Sequence, residues 1–208
     1  MNDELRRHWE RAWSEKADHE RSWTQTDCLV SRGMFGRAQR TAQWTSPNIV
    51  DIGGGSSAFS YWALSKGYDV TALDLSVAAL EKAKKENPTL VTVEADVREW
   101  IPSRRYSFWH DRAAFHFLTD KGSVDRYLAV MNNATAPGSY AVIATFGESG
   151  PEKCSGLPVQ RYSKDALAAV FCATSSERDW HLVEAASETH KTPWGSTQAF
   201  EYVLVRRD

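Results

Sequence analysis

Two periods of apolar spacing share the chain. From residue 48 onward, short apolar runs alternate with longer stretches whose apolar residues recur every three or four positions, the pattern of strands alternating with helices. Residues 48–52 read as a strand and 56–66 as a helix, with Ser56 or Ser57 as N-cap and Gly67 just past its end. A strand at 69–73 follows, then a helix at 76–87 stopped by Pro88, a strand at 89–94 and a short strand at 105–109. Residues 120–135 are helical, Ala136-Pro137-Gly138 form a turn, 140–145 are a strand, and 163–171 are a helix capped by Ser163. The rhythm then changes. Strands at 180–188 and 199–205 are separated by too few residues for a helical crossover, so they form an antiparallel pair. Ahead of the sheet, residues 2–16 are charged, with Trp9 and Trp13 an i,i+4 pair on one helix face, and 27–43 read as a second helix weakened by Gly33 and Gly36. This order predicts an α/β fold: a mostly parallel sheet with helices on both faces and one reversed C-terminal strand.

In open α/β sheets, ligands bind at the carboxyl ends of the strands, and the first strand-to-helix turn is the usual contact. Here that turn is DIGGGSS, residues 51–57. Asp74 ends the second strand 21 residues after Gly53, the spacing at which a carboxylate accepts hydrogen bonds from ribose hydroxyls. Asp96 ends the third, so Asp51, Asp74 and Asp96 share one rim, although Asp96 also suits an N-cap for residues 97–100. An acid at the start of the glycine turn repels a pyrophosphate and favours a cationic ligand, which points away from NAD.

Composition narrows the partners. The formal charge of the 208 residues is −2 and the pI is near 6.3, so no global basic field exists to hold nucleic acid. The N-terminus has no apolar signal core, and no stretch approaches bilayer-spanning length. Cys28, Cys154 and Cys172 are odd in number and lack metal-binding spacing. A soluble, cytoplasmic protein without a metal site is expected.

DIGGG, the LDLS ending of strand two, the EADV ending of strand three and the terminal hairpin resemble the class I S-adenosylmethionine (SAM)-dependent methyltransferases across residues 47–206. That resemblance implies a Rossmann-like, seven-stranded sheet. It also implies that Asp51, Gly53, Gly54 and Gly55 surround the methionine part of SAM, that Asp74 and Leu75 hold the ribose, and that Asp96 and Val97 border the adenine. More narrowly, WHDRAAFHFL (109–118), CSGLP (154–158) and HKTPWGSTQAFEY (190–202) are similar to a group of small, mostly uncharacterised bacterial methyltransferases. HWERAWSEKADHERSWTQ resembles the same group and, more loosely, the leading segment of lysine methyltransferases that modify translation elongation factors. No Asn/Asp-Pro-Pro-Tyr follows strand four, which disfavours amino methylation of nucleic acids.

His110, Asp111 and Arg112 follow the fourth strand on the rim where the transferable methyl points. Methyl transfer needs donor and acceptor held in line, and a base only if the acceptor starts protonated. His110 or His116 would be that base with Asp111 as orienter, and Arg112 would contact substrate. The competing reading makes Asp111 and Arg112 a pair or cap, and His116 a core residue between Phe115 and Phe117. His190, Trp194 and Gln198 on the hairpin turn are substrate candidates, against a purely turn-making role for Pro193 and Gly195 with Trp194 covering an edge. Cys154, Arg161 and Tyr162 occupy a lid position after strand five; Cys154 has no base beside it in sequence to make it a nucleophile. Trp9 and Trp13 read as packing, while Trp23 is placed against the cofactor.

The expectation is a helical lid segment at residues 1–46 and a SAM-binding domain at 47–208, acting on a small-molecule or protein side-chain acceptor. The alternatives are a protein lysine methyltransferase and a non-catalytic nucleotide-binding or regulatory module.

Overall fold

The seven-stranded sheet runs from edge to edge through residues 91–94, 69–74, 48–52, 106–112, 135–146, 197–207 and 180–191. Residues 3–172 and 180–208 are described by a computed structural model; Asn2, the first residue of the helix expected at 2–16, lies outside them. The strands are β1 (Asn48–Ile52), β2 (Asp69–Asp74), β3 (Val91–Glu94), β4 (Tyr106–Arg112), β5 (Thr135–Phe146), β8 (Trp180–Lys191) and β9 (Thr197–Arg207). A separate two-stranded ribbon joins β6 (Lys153–Cys154) to β7 (Leu157–Pro158). β1 to β5 pair in parallel, and β9 runs antiparallel to both β5 and β8.

The helices are α1 (Asp3–Glu15), α2 (Leu29–Ala42), α3 (Ala58–Ser65), α4 (Val77–Glu86), α5 (Lys121–Ala134) and α6 (Lys164–Cys172). Of the two cap candidates for α3, Ser57 is used: its hydroxyl accepts the Ser60 N–H at 3.3 Å. Ser76 and Asp120 cap α4 and α5 in the same way, at 3.1 and 2.8 Å. Each cap satisfies one of the amides that a helix start leaves unpaired. The sheet is covered on both faces. Ile49, Phe108 and Val142 pack with Phe35 of α2 and Phe59 of α3, while Val50, Trp109 and Ile143 pack with Met131 of α5 and Phe171 of α6.

Most strand ends differ from the sequence reading by a few residues, and two of the differences bear on the site and the sheet. β4 continues to Arg112, so His110, Asp111 and Arg112 are strand residues and do not follow the strand. Their polar run ends the apolar signal early, but each has a buried partner. β5 begins at Thr135, through the residues expected to turn. Gly138 absorbs the irregularity with φ of +86°, and the β4–β5 register shifts between Tyr106 and Phe108.

Candidate functional site

The turn after β1 is shaped by its glycines. Gly53 takes φ of +67°, and the amides of Gly53 and Gly54 both donate to the Leu73 carbonyl at 2.8 and 3.1 Å, tying the turn to the end of β2. A Cβ on Gly55 would stand 2.4 Å from the Ala79 Cβ and 2.9 Å from Asp74 Oδ2. Gly55 therefore exists to let α4 and Asp74 close on the backbone, and its N–H donates to Asp74 Oδ2 at 3.2 Å.

A cavity opens over this turn, at the carboxyl ends of β1 to β4. Asp51, Gly53, Asp74, Leu75, Asp96 and Val97 line it, as do Trp23, His110, Arg112 and Cys154. The three rim acids are unlike in their partners. Asp51 Oδ1 receives His110 Nδ1–H at 2.7 Å and Oδ2 receives the Ser60 hydroxyl at 2.6 Å. Asp96 accepts the Arg98 N–H at 2.9 Å and the Arg98 guanidinium at 2.5 to 3.2 Å. Burial pushes the Asp96 carboxyl up, and these Arg98 bonds outweigh it to hold the group below the usual range. Among the described residues Asp74 draws its hydrogen bonds from backbone amides, Ser76 N–H on Oδ1 at 2.9 Å and Gly55 N–H on Oδ2 at 3.2 Å. Burial pushes it up to about 6 against the pull of the Ser76, Gly55 and Leu75 amides. These few bonds leave the carboxylate oxygens acceptor capacity for a ligand.

Strand alternation along β4 sends His110 and Asp111 to opposite faces of the sheet. His110 turns to the α2–α3 face, where its ring stacks on Phe59 with centroids 4.0 Å apart and Nε2 accepts from the Ser31 hydroxyl at 2.9 Å. Asp111 turns to the opposite face. Its Oδ1 accepts the Ala114 and Phe115 amides at 2.9 and 3.0 Å, and Oδ2 accepts Tyr127 Oη at 2.8 Å. The expected Asp111–His110 pair is thus replaced by Asp51–His110, and Asp111 caps the turn Phe115–Phe117. Both nitrogens of His110 are engaged. His116 is fully buried between Phe117 and Phe146, with Nδ1 3.4 Å from the Phe146 amide. It does not face Arg112's cavity, and burial drives it down to about 3.

The substrate candidates separate likewise. Arg112 and Cys154 line the cavity, and burial raises the Cys154 thiol to about 11, which keeps it protonated. Arg161 lies elsewhere, donating to the Glu148 and Gly150 carbonyls at 2.8 and 3.2 Å, and Tyr162 packs on Phe115 at 5.9 Å. Trp194 stands at the hairpin tip, 56% exposed. His190 and Gln198 are cross-strand partners. His190 Nε2–H donates to the Ser22 carbonyl at 2.7 Å, so it fastens the loop that carries Trp23.

Trp9, Trp13 and Phe117 also line the cavity. Trp9 meets Trp23 and Phe117 edge to face at 5.7 and 5.0 Å. The i,i+4 spacing reads as packing, and in the structure Trp9 and Trp13 both pack on Trp23 and line the cavity. α1 is seated by Glu10, which accepts from the Ser76 hydroxyl at 2.8 Å and the Ala78 amide at 3.1 Å, and by an Arg6–Glu94 ion pair. Among the described residues, no cluster of side chains suits a metal ion and no helix is long and apolar enough to cross a membrane.

No curated protein matches the chain. Among solved structures, a SAM-dependent methyltransferase from Anabaena variabilis superposes with a TM-score of 0.68 at 15% identity, over 98% of this chain and 95% of that one. The Burkholderia thailandensis 1,6-didemethyltoxoflavin-N1-methyltransferase, solved with 1,6-didemethyltoxoflavin and S-adenosylhomocysteine, gives 0.62 at 16% identity, over 99% and 84%. TehB from Haemophilus influenzae gives 0.59 at 22%, over 83% of this chain and 62% of that one. The fold is that of the SAM-dependent methyltransferases. The family model described as tellurite resistance protein TehB matches residues 36–192, well over half of the sequence, and the chain belongs to the TehB family.

Proposed function

We propose that the protein is a SAM-dependent methyltransferase acting on a small-molecule acceptor. The observation that carries this reading is Asp74, a buried carboxylate held by backbone amides among the described residues, at the end of β2 and on the wall of a cavity that begins at a glycine turn. Asp74 and Leu75 would hold the ribose, Asp96 and Val97 would border the adenine, and Asp51, Gly53 and the Trp23 loop would surround the methionine part. Gly54 and Gly55 shape the turn behind it. Bound there, SAM supplies an electrophilic methyl group on a sulfonium centre.

The chain's own contribution is positioning and exclusion of water. Trp9, Trp13, Trp23 and Phe117 wall the cavity with rings, and the two histidines read as bases have other work. Asp51 and Ser31 occupy His110, and the core encloses His116. We therefore assign His110 and Asp111 to holding the rim, and leave the acceptor to attack with a lone pair it already carries. The placement of α1 over the cavity supports residues 1–46 as a lid and favours a small acceptor over a protein lysine. The small acceptor of the Burkholderia enzyme, and the resemblance of WHDRAAFHFL and HKTPWGSTQAF to stretches of small bacterial methyltransferases, support the same reading. The free cysteines support a cytoplasmic location.

Calorimetric titration with S-adenosylhomocysteine tests this. The wild type is expected to bind, and Asp74→Ala to lose about tenfold or more of the affinity, the scale of a buried charged hydrogen bond. Absence of binding to the wild type would overturn the proposal.

A further inference from the structure

The cavity rim is divided by charge. The acids Asp51, Asp74 and Asp96 sit at the ends of β1, β2 and β3, whereas the next strand in the sheet, β4, ends in Arg112. Its side chain is 7% exposed and lines the cavity together with Trp23, Phe117 and Cys154. The guanidinium is held on several sides. Its Nε–H donates to Tyr202 Oη at 3.0 Å, Nη1 lies 3.5 Å from the Trp23 carbonyl, and its flat face stacks on Phe200 at 4.2 Å. Nη2 is buried without a hydrogen-bond acceptor among the described residues. The nearest anion, Glu188, stands 3.7 Å from it and is itself engaged by the Tyr202 hydroxyl at 2.5 Å.

A buried cation with an unsatisfied N–H is costly, and such groups are ordinarily paired or complete their bonding with a ligand. We infer that Arg112 is a specificity residue that seats the carboxylate of an organic acid acceptor. This rests on the methyltransferase reading and adds the substrate class to it. A guanidinium edge matches a carboxylate better than a neutral amide. The surrounding wall decides between organic and inorganic anions. Trp9, Trp23 and Phe117 offer rings where a small inorganic oxyanion would need donors for each of its oxygens, so the acid carries an apolar body that packs on those rings.

SAM brings a carboxylate of its own, and the experiment separates the two sources. Wild-type protein saturated with S-adenosylhomocysteine is titrated with acetate, benzoate and indole-3-acetate and with the corresponding neutral amides. At least one acid should bind about tenfold tighter than its amide, and Arg112→Gln should erase that preference. Acid and amide binding alike in all three pairs would overturn the inference, and this comparison needs no variant. In parallel, S-adenosylhomocysteine and 5′-methylthioadenosine, which lacks the carboxylate, are titrated into both proteins. The inference requires Arg112→Gln to keep S-adenosylhomocysteine affinity within about threefold. A larger loss, with methylthioadenosine unaffected, would give Arg112 to the cofactor and overturn the acceptor assignment. Loss of both nucleosides would mark a damaged variant and leave the wild-type pairs to decide. Failure of the wild type to bind S-adenosylhomocysteine would instead sink the methyltransferase reading.

Discussion

At pH 7 the Asp74 carboxylate is charged against the preference of its surroundings. Burial raises it from 3.8 to about 6, and the amides of Ser76 and Gly55 offset only part of that. A folded value above the unfolded one means that the group opposes folding above pH 6, and that the opposition fades as pH falls toward 4. Ribose hydroxyls donating to the carboxylate would favour its charged form and lower its value in the complex. S-adenosylhomocysteine affinity is therefore expected to be flat above pH 6 and to fall up to about tenfold by pH 5, with no such step in Asp74→Asn. Titrations across pH 5 to 8 check this. Asp74 was readable from sequence because a strand end and a fixed interval from a glycine turn locate it. The partners of His110 were not. Its bond to Ser31 spans 79 positions, and the assignment of Asp111 to the other face depends on β4 running three residues past its apolar stretch.

α1 shows the same boundary at the scale of an element. Its helicity and its aromatic face follow from the spacing of Trp9 and Trp13, but its seat depends on Glu10 meeting Ser76 and Ala78, 66 and 68 positions away. Glu10 caps α4 from outside, a carboxylate at a helix start where amides and dipole both favour it. Removing it costs about 1 to 2 kcal/mol of docking. In Glu10→Ala, amide exchange within α1 is expected to speed up by about tenfold, while that of β1 and β4 stays unchanged. S-adenosylhomocysteine should restore part of the protection. Unaltered exchange in α1 would mean that the ion pair to Glu94 and the tryptophan contacts suffice. The short ribbon β6–β7, by contrast, left no periodic trace, since two residues per strand are too few to show a pattern.

For the whole molecule, the alternation of strands and helices and the short loop between the last two strands were enough to anticipate a sheet with one reversed strand, because connection length limits pairing. What alternation does not encode is the closing of the N-terminal segment across the strand ends, which brings residues far apart in the chain to one wall. Trp9, Trp13 and Trp23, three of the nine tryptophans, stand on that wall, beside the charged Arg112 and the Cys154 thiol. Indole emission reports the polarity and the quenchers around the ring. Filling this space is thus expected to shift the intrinsic fluorescence, a change that Trp23→Phe should reduce and Trp194→Phe, at the exposed hairpin tip, should leave intact. The molecule carries an unlabelled optical gauge of its own occupancy, with which candidate acceptors are ranked by binding before any product is known.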